Sequence, residues 1–141
     1  MTKEESAIED FNSKNMKTII NTPNAPDPIG PYNQAILVNN TLYTSGQIAL
    51  DPNTMELVMD NIEVETNQVM QNLEAVLQAA NMDFSNVIKA SIFISDMNDF
   101  GKINKVYGSY FDESTAPARE TVQVAVLPKN VNVEISVIAV V

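Results

Sequence analysis

The C-terminal stretch Val131–Val141 constrains the fold more than any other segment. Val131, Val133, Ile135, Val137, Ala139 and Val141 alternate along it and form one unbroken apolar face of a strand. The opposite face reads Asn132, Glu134, Ser136, Ile138, Val140, so it starts polar and turns apolar halfway. A solvated face would carry Lys, Glu and Thr throughout. Two other strand-like runs share the pattern. Val122, Val124 and Val126 oppose Thr121, Gln123, Ala125 and Leu127, and Tyr43, Ser45 and Gln47 oppose Leu42, Thr44, Gly46 and Ile48. Apart from Lys89 and Glu134, neither face of these strands carries a charge, so both faces of the sheet need cover.

Other periodicities show what is available to cover it. Val64, Val69, Met70, Leu73, Val76, Leu77 and Ala80 recur at threes and fours and predict an amphipathic helix. Phe100, Ile103, Val106, Tyr107, Tyr110 and Phe111 predict a second, capped by Asp96 or Asn98. Pro23–Pro31 reads as loop or extended chain. Ala35–Asn39 and Leu42–Ile48 flank a hairpin turn at Asn39–Asn40, and Val87–Ser95 reads as a strand. The expected order is β-β-α-β-α-β-β, an α+β fold with two helices on one face of a mixed sheet. Two helices cover one face only. The second is therefore expected to be buried against other subunits; a covering loop is the alternative, and few long loops exist. Residues 1–16 are polar and acidic and read as an extension to a single domain spanning 17–141.

What is missing from the composition prunes the chemistry. The 141 residues include no His, no Cys and no Trp, and Arg119 is the only arginine. Ser-His-Asp and Cys-His catalysis, thiol redox control and His/Cys zinc sites are excluded. An acid or base here must be Glu, Asp, Lys, Tyr or water held by them. Eight Lys+Arg against eighteen Asp+Glu give a net charge of −10, which argues against nucleic acid as a partner. The acidic N-terminus lacks the pattern of a secretory or transit leader, and no apolar run approaches the roughly 18 residues of a membrane span. A cytoplasmic protein without membrane association is the expectation. No phosphate loop, dinucleotide fingerprint or metal-spaced cluster is present, so neither cofactor nor metal is expected.

Two charged residues stand out. Glu134 is a carboxylate on a strand face otherwise made of neutral residues, where burial without a partner costs several kcal/mol; an exposed place near the sheet edge is the bland alternative. Arg119 follows Ala116–Pro117–Ala118 at an expected loop-to-strand junction. Its planar fork suits a carboxylate, though a solvated arginine or an ion pair with Glu120 or Glu134 would also account for it. Gly30–Pro31–Tyr32 and Ser45–Gly46–Gln47 place glycine beside polar groups, as a turn and a strand bulge or as points of close backbone approach to a ligand. Asp51, Asp60, Glu63 and Glu65 fall around a helix start, where they favour the helix dipole.

Taken together, several segments resemble the RidA (YjgF-like) imine deaminase family. They are Ile29–Gly30–Pro31–Tyr32, Tyr43–Thr44–Ser45–Gly46–Gln47–Ile48, Asn98–Asp99–Phe100 with Asn104, Ala116–Pro117–Ala118–Arg119, and Leu127–Pro128–Lys129 with Val133–Glu134–Ile135. The resemblance spans about 17–141. It implies a chorismate-mutase-like fold and a homotrimer whose sheets form a central barrel-like core, with three sites in the clefts between subunits. It implies hydrolysis of 2-imino acids and their enamine tautomers, such as 2-aminoacrylate/2-iminopropanoate and 2-iminobutanoate, to 2-keto acids and ammonia, a form of metabolite repair needing no cofactor. By this resemblance Arg119 grips the substrate carboxylate and Glu134 orients or activates water, with Arg119 lowering the Glu134 pKa. Tyr32, Ser45, the Gly46 backbone, Asn104 and the Thr121 backbone line the cleft.

The chain departs from the family pattern at Thr121, where many relatives have Cys, and at Met55, a turn position often held by Gly. The acidic extension 1–16 is also uncommon. A non-catalytic module binding a small carboxylate in the same cleft is the competing reading. Ribonuclease activity, assigned to some relatives, is disfavoured by the charge.

Overall fold

A computed structural model describes residues 2–7 and 16–141; residues 3–7 form a short helical stretch. The expected extension 1–16 therefore falls largely outside the described residues. Eight main elements follow: β1 (Thr18–Ile20), β2 (Ala35–Val38), β3 (Thr41–Thr44), α1 (Ile62–Ala79), β4 (Val87–Ile94), α2 (Phe100–Gly108), β5 (Ala118–Gln123) and β6 (Val133–Val140). They build one six-stranded sheet in the order β1-β2-β3-β6-β4-β5. Only β4 and β5 pair in parallel. The α+β mixed sheet with two helices matches expectation, with one strand more. β1 was not foreseen, because three residues are too few to show an alternation.

Asn39 and Asn40 close the β2–β3 hairpin with φ of 50° and 63°, the left-handed pair that a two-residue turn requires. Asn61 caps α1 by accepting from the Val64 amide at 2.9 Å. Val69, Met70, Leu73, Val76 and Leu77 of α1 meet Val133, Ile135, Val137 and Ala139 of β6 in the main core, as the two periodicities predict. Phe84, Tyr107, Tyr110 and Phe111 close one end, with ring centroids 4.8–5.3 Å apart. The Tyr110 hydroxyl ties the helices together by donating to Asn67 Oδ1 at 2.5 Å.

Among the described residues the face opposite the helices is covered only in part: Phe93 packs against a second cluster of Ile48, Leu50, Leu127 and Val131, and much of the remainder is exposed. One row across it reads Ile19, Ile36, Tyr43, Ile138, Lys89, each residue paired with the next. Ile19, Tyr43 and Val122 are 53%, 48% and 43% exposed, so no loop among the described residues lies over them. Among the described residues the covering-loop alternative is met at the Phe93 end and not over this part of the sheet.

Two strand boundaries differ from expectation. β5 occupies Ala118–Gln123 rather than Thr121–Leu127, because its parallel partner β4 begins opposite it at Lys89 and ends at Ile94. Beyond Val124, whose amide reaches Ile94 O at 2.9 Å, the apolar run has nothing to pair with. β3 stops at Thr44 instead of running to Ile48. Its ladder ends at Tyr43↔Ile138 and resumes as a bridge at Gln47↔Ile135, so four steps on one strand match three on the other. The extra residue is the bulge expected at Ser45–Gly46.

Candidate active site

The bulge opens a cavity of about 520 Å³. Tyr32, Ser45, Gly46 and Glu134 line it, joined by Asp27 and Lys129. Its floor is apolar, from Ile29, Ile48 and Leu50. The Tyr32 hydroxyl accepts from the Ile29 amide at 3.1 Å, which folds the ring back over Gly30. Ser45 donates its hydroxyl proton to Asn33 O at 2.5 Å, leaving the oxygen's lone pairs free. Gly46 is required by close approach rather than by backbone conformation. A Cβ there would lie 2.8 Å from Glu134 Cδ and 2.9 Å from Cγ, so any side chain at 46 displaces the Glu134 carboxylate.

Glu134 sits half-buried on the sheet face opposite the helices, paired with Phe93 of β4. No donor among the described residues bonds its carboxylate. Burial pushes its pKa above the usual glutamate value. A carboxylate of this kind is a stronger base than an exposed one and carries no structural duty of its own.

The other expected site residues lie elsewhere. Arg119 is on β5 itself, not at a loop junction, and Ala90 is its ladder partner. Its Nη1 donates to Asn104 Oδ1 of α2 at 2.6 Å, and its guanidinium carbon stands 5.6 Å and 5.1 Å from the ring centroids of Phe100 and Tyr107. No carboxylate among the described residues pairs with it. Thr121 lies two residues on, on the same face of β5, with its Oγ1 buried and unpartnered. Asn104, Arg119 and Thr121 are thus brought together, on the helix side of the sheet's β5 edge.

Within one chain the two clusters do not meet. Ladder partners place Arg119 beside Ala90 and Val137, on the helix face, while Glu134 is on the opposite face, two strands over and three residues along. Strand spacing and rise put their Cα atoms about 14 Å apart. The expected lowering of the Glu134 pKa by Arg119 is therefore absent within the subunit. Nor does Arg119 pair with Glu120. Glu120 faces the other way and bonds Lys89 Nζ at 2.9 Å and Ser91 Oγ at 3.0 Å, which hold its pKa below the usual value.

Residues 22–141 match the family model described as Endoribonuclease L-PSP. The chain belongs to that family. A RutC family protein of Synechocystis is 57% identical over 123 residues, covering 86% of this chain and 95% of the relative. The 2-iminobutanoate/2-iminopropanoate deaminase of Mus musculus is 46% identical over 125 residues, covering 89% and 92%. Among solved structures, a Rid-family protein of Yersinia pestis superposes with a TM-score of 0.86 at 47% identity, covering 89% of this chain and all 100% of that one. The resemblance read from the sequence motifs and the L-PSP/Rid membership agree.

Some residues in or near the candidate site had no role assigned there from the sequence. Lys129 lines the cavity from a turn where it and Asn130 both adopt φ of 55°. Gln34 is 2% exposed, and its amide accepts from the Thr22 amide at 2.7 Å and donates to Pro26 O at 2.9 Å, stapling the Pro-rich loop beside the cavity. A Gln at a strand start has no sequence signature of burial. Glu65 was read as a helix-dipole residue, yet it is fully buried and bonded to Asn132. Among the described residues, no helix is long and apolar enough to cross a membrane, and no group of three or more acidic residues is placed to hold a metal.

Proposed function

We propose that this protein hydrolyses 2-imino acids and their enamine tautomers to 2-keto acids and ammonia, at clefts between the subunits of a homotrimer. One observation carries the reading. A carboxylate without a donor and an arginine without an acid stand on opposite faces of one sheet, each beside an exposed surface. Each is half of a site that a second copy would complete. The uncovered apolar face around Tyr43 and Ile138 supplies a reason for copies to associate, and the trimer's central barrel-like core would bury it.

In the assembled cleft Arg119 grips the substrate carboxylate through the guanidinium edge that Asn104 leaves free, with the Thr121 backbone beside it. Tyr32, Ser45 and the Gly46 backbone hold the other end of the substrate. Glu134, ionised, takes a proton from water as the water oxygen bonds to the imine carbon. It returns that proton to nitrogen, giving the carbinolamine. It then takes the hydroxyl proton and passes it to nitrogen as the C–N bond breaks. The carbonyl forms, ammonia leaves, and Glu134 ends ionised as it began. An imine carbon is already electrophilic, so orientation and one base suffice without histidine or cofactor.

The name of the mouse relative supports this reading. A −10 chain is poorly suited to RNA, which disfavours a ribonuclease role despite the family description. The test generates 2-iminobutanoate and 2-aminoacrylate in situ and follows 2-keto acid formation. Wild type should outpace free decay, and Arg119→Ala and Glu134→Gln should each lose at least about 100-fold. No acceleration by wild type would leave the small-carboxylate binding module instead.

A further inference from the structure

Helix α1 buries a polar row on the face it shows to the core. Glu65 and Asn72 are 0% and 1% exposed, two turns apart, among Val69, Met70, Leu73 and Val76. Burying a carboxylate and an amide on a core-facing helix is costly unless each is bonded. All the bonds they make outside their own helix lead to the walls of the cavity.

Glu65 grips Asn132 twice, its Oε2 accepting from the backbone N–H and its Oε1 from Nδ2, both at 2.8 Å. Asn132 is the bend at which the chain leaves the turn carrying Lys129 and enters β6, two residues before Glu134. Its own oxygens accept from the Ser95 amide at 3.0 Å and the Ser95 hydroxyl at 3.2 Å, so its position is set from two sides. Asn72 Nδ2 donates to Ile48 O at 3.1 Å and Leu50 O at 2.9 Å, and Gln68 orients it by donating to Oδ1 at 2.9 Å. Ile48 and Leu50 are cavity floor, and they continue from Gln47, whose amide and carbonyl bond Ile135 at 2.8 and 3.1 Å. That bridge holds Gly46 against Glu134.

We infer that Glu65 and Asn72 are positioning residues, using α1 as a rigid bracket that holds Gly46 and Glu134 at their working separation. The inference rests on the deaminase reading for its catalytic consequence, so one measurement is made without substrate. Glu65→Gln keeps the shape and one acceptor but faces Asn132 Nδ2 with a second donor. Amide hydrogen exchange at Gln47 and Ile135 should then accelerate about tenfold, with Ile92 in the sheet centre unchanged. kcat should fall about tenfold while KM stays within twofold, as expected when a base is misplaced and binding is kept. Adding Asn132→Asp reverses donor and acceptor across the pair and should restore both readouts. Asn72→Leu, which frees Ile48 and Leu50 without touching Asn132, should speed exchange at Gln47 in the same way. Tyr110→Phe, which cuts the bond from the segment after α2 to Asn67 of α1 and touches no residue of the cavity lining, should leave kcat unchanged. Wild-type exchange and kcat in Glu65→Gln, failure of the double variant to recover, or an equal kcat loss in Tyr110→Phe would overturn the inference. If wild type proves inactive on imines, the exchange data still decide whether the bracket exists.

Discussion

Mixing two inactive variants should regenerate activity if the half-sites face each other across a subunit boundary. Arg119 and Glu134 lie on opposite faces of the sheet, two strands and three residues apart. A separation of about 14 Å between their Cα atoms, with side chains pointing away from each other, is too great for one small substrate to span within a chain. In the proposed cyclic trimer each cleft would take Arg119 from one subunit and Glu134 from the next. Arg119→Ala homotrimers have no intact cleft, and neither do Glu134→Gln homotrimers. When equal amounts are unfolded and refolded together, a cleft is intact when its arginine comes from a Glu134→Gln subunit and its glutamate from an Arg119→Ala subunit. Random assembly makes that true for about one quarter of clefts. Activity should follow the product of the two subunit fractions and peak at equal mixing. The assay is 2-keto acid formation from 2-iminobutanoate generated in situ, with native mass spectrometry verifying that mixed oligomers formed. Mixed oligomers no more active than their parents would refute the shared cleft.

Two further outcomes follow from individual contacts. Burial raises the Glu134 pKa, and in an assembled cleft a facing Arg119 would pull it back down. In the proposed mechanism Glu134 works ionised, so activity should be lost as pH falls through that pKa. Arg119→Ala leaves burial unopposed, so a carboxyl NMR titration should find the Glu134 midpoint at higher pH than in wild type; an unmoved midpoint would separate the two residues. The hydroxyls of Tyr107 and Thr121 are buried and have no hydrogen-bond partner among the described residues. Tyr107→Phe and Thr121→Val should each raise unfolding stability by about 1 kcal/mol at fixed protein concentration. Thr121→Val should also keep full activity, since the backbone is the group proposed to act there; a loss of stability or activity would show that the hydroxyl has a partner.

Strand and helix identities were legible because they rest on periodicity. Of the apolar face read from Val131 to Val141, Val133, Ile135, Val137 and Ala139 meet the row on α1 in the main core, while Val131 packs in a second cluster and Val141 is 79% exposed. The apolar half of the other face marks a surface that needs cover beyond the two helices. Glu134 was legible as an isolated charge in a neutral stretch, and Arg119 as the only arginine in the chain. Gly46 was legible as a bulge, though the reason for glycine, the Glu134 side chain lying over it, depends on a residue far along the chain. Glu65 misled because a carboxylate in a first helical turn looks the same whether it faces water or Asn132.

What the sequence determined by itself was local: which segments are strands and helices, which faces are apolar, and which chemistries are impossible without His or Cys. Face and register were decided only by the tertiary structure. β5 begins at Ala118 because β4 offers partners from Lys89 onward, and that start turns Arg119 toward α2 and Glu120 toward Lys89. A strand alternates sides with every residue, so a pairing choice made by a distant segment sets the direction of each side chain. The side of the sheet on which the arginine and the glutamate act could not be read from either residue's neighbours in the chain.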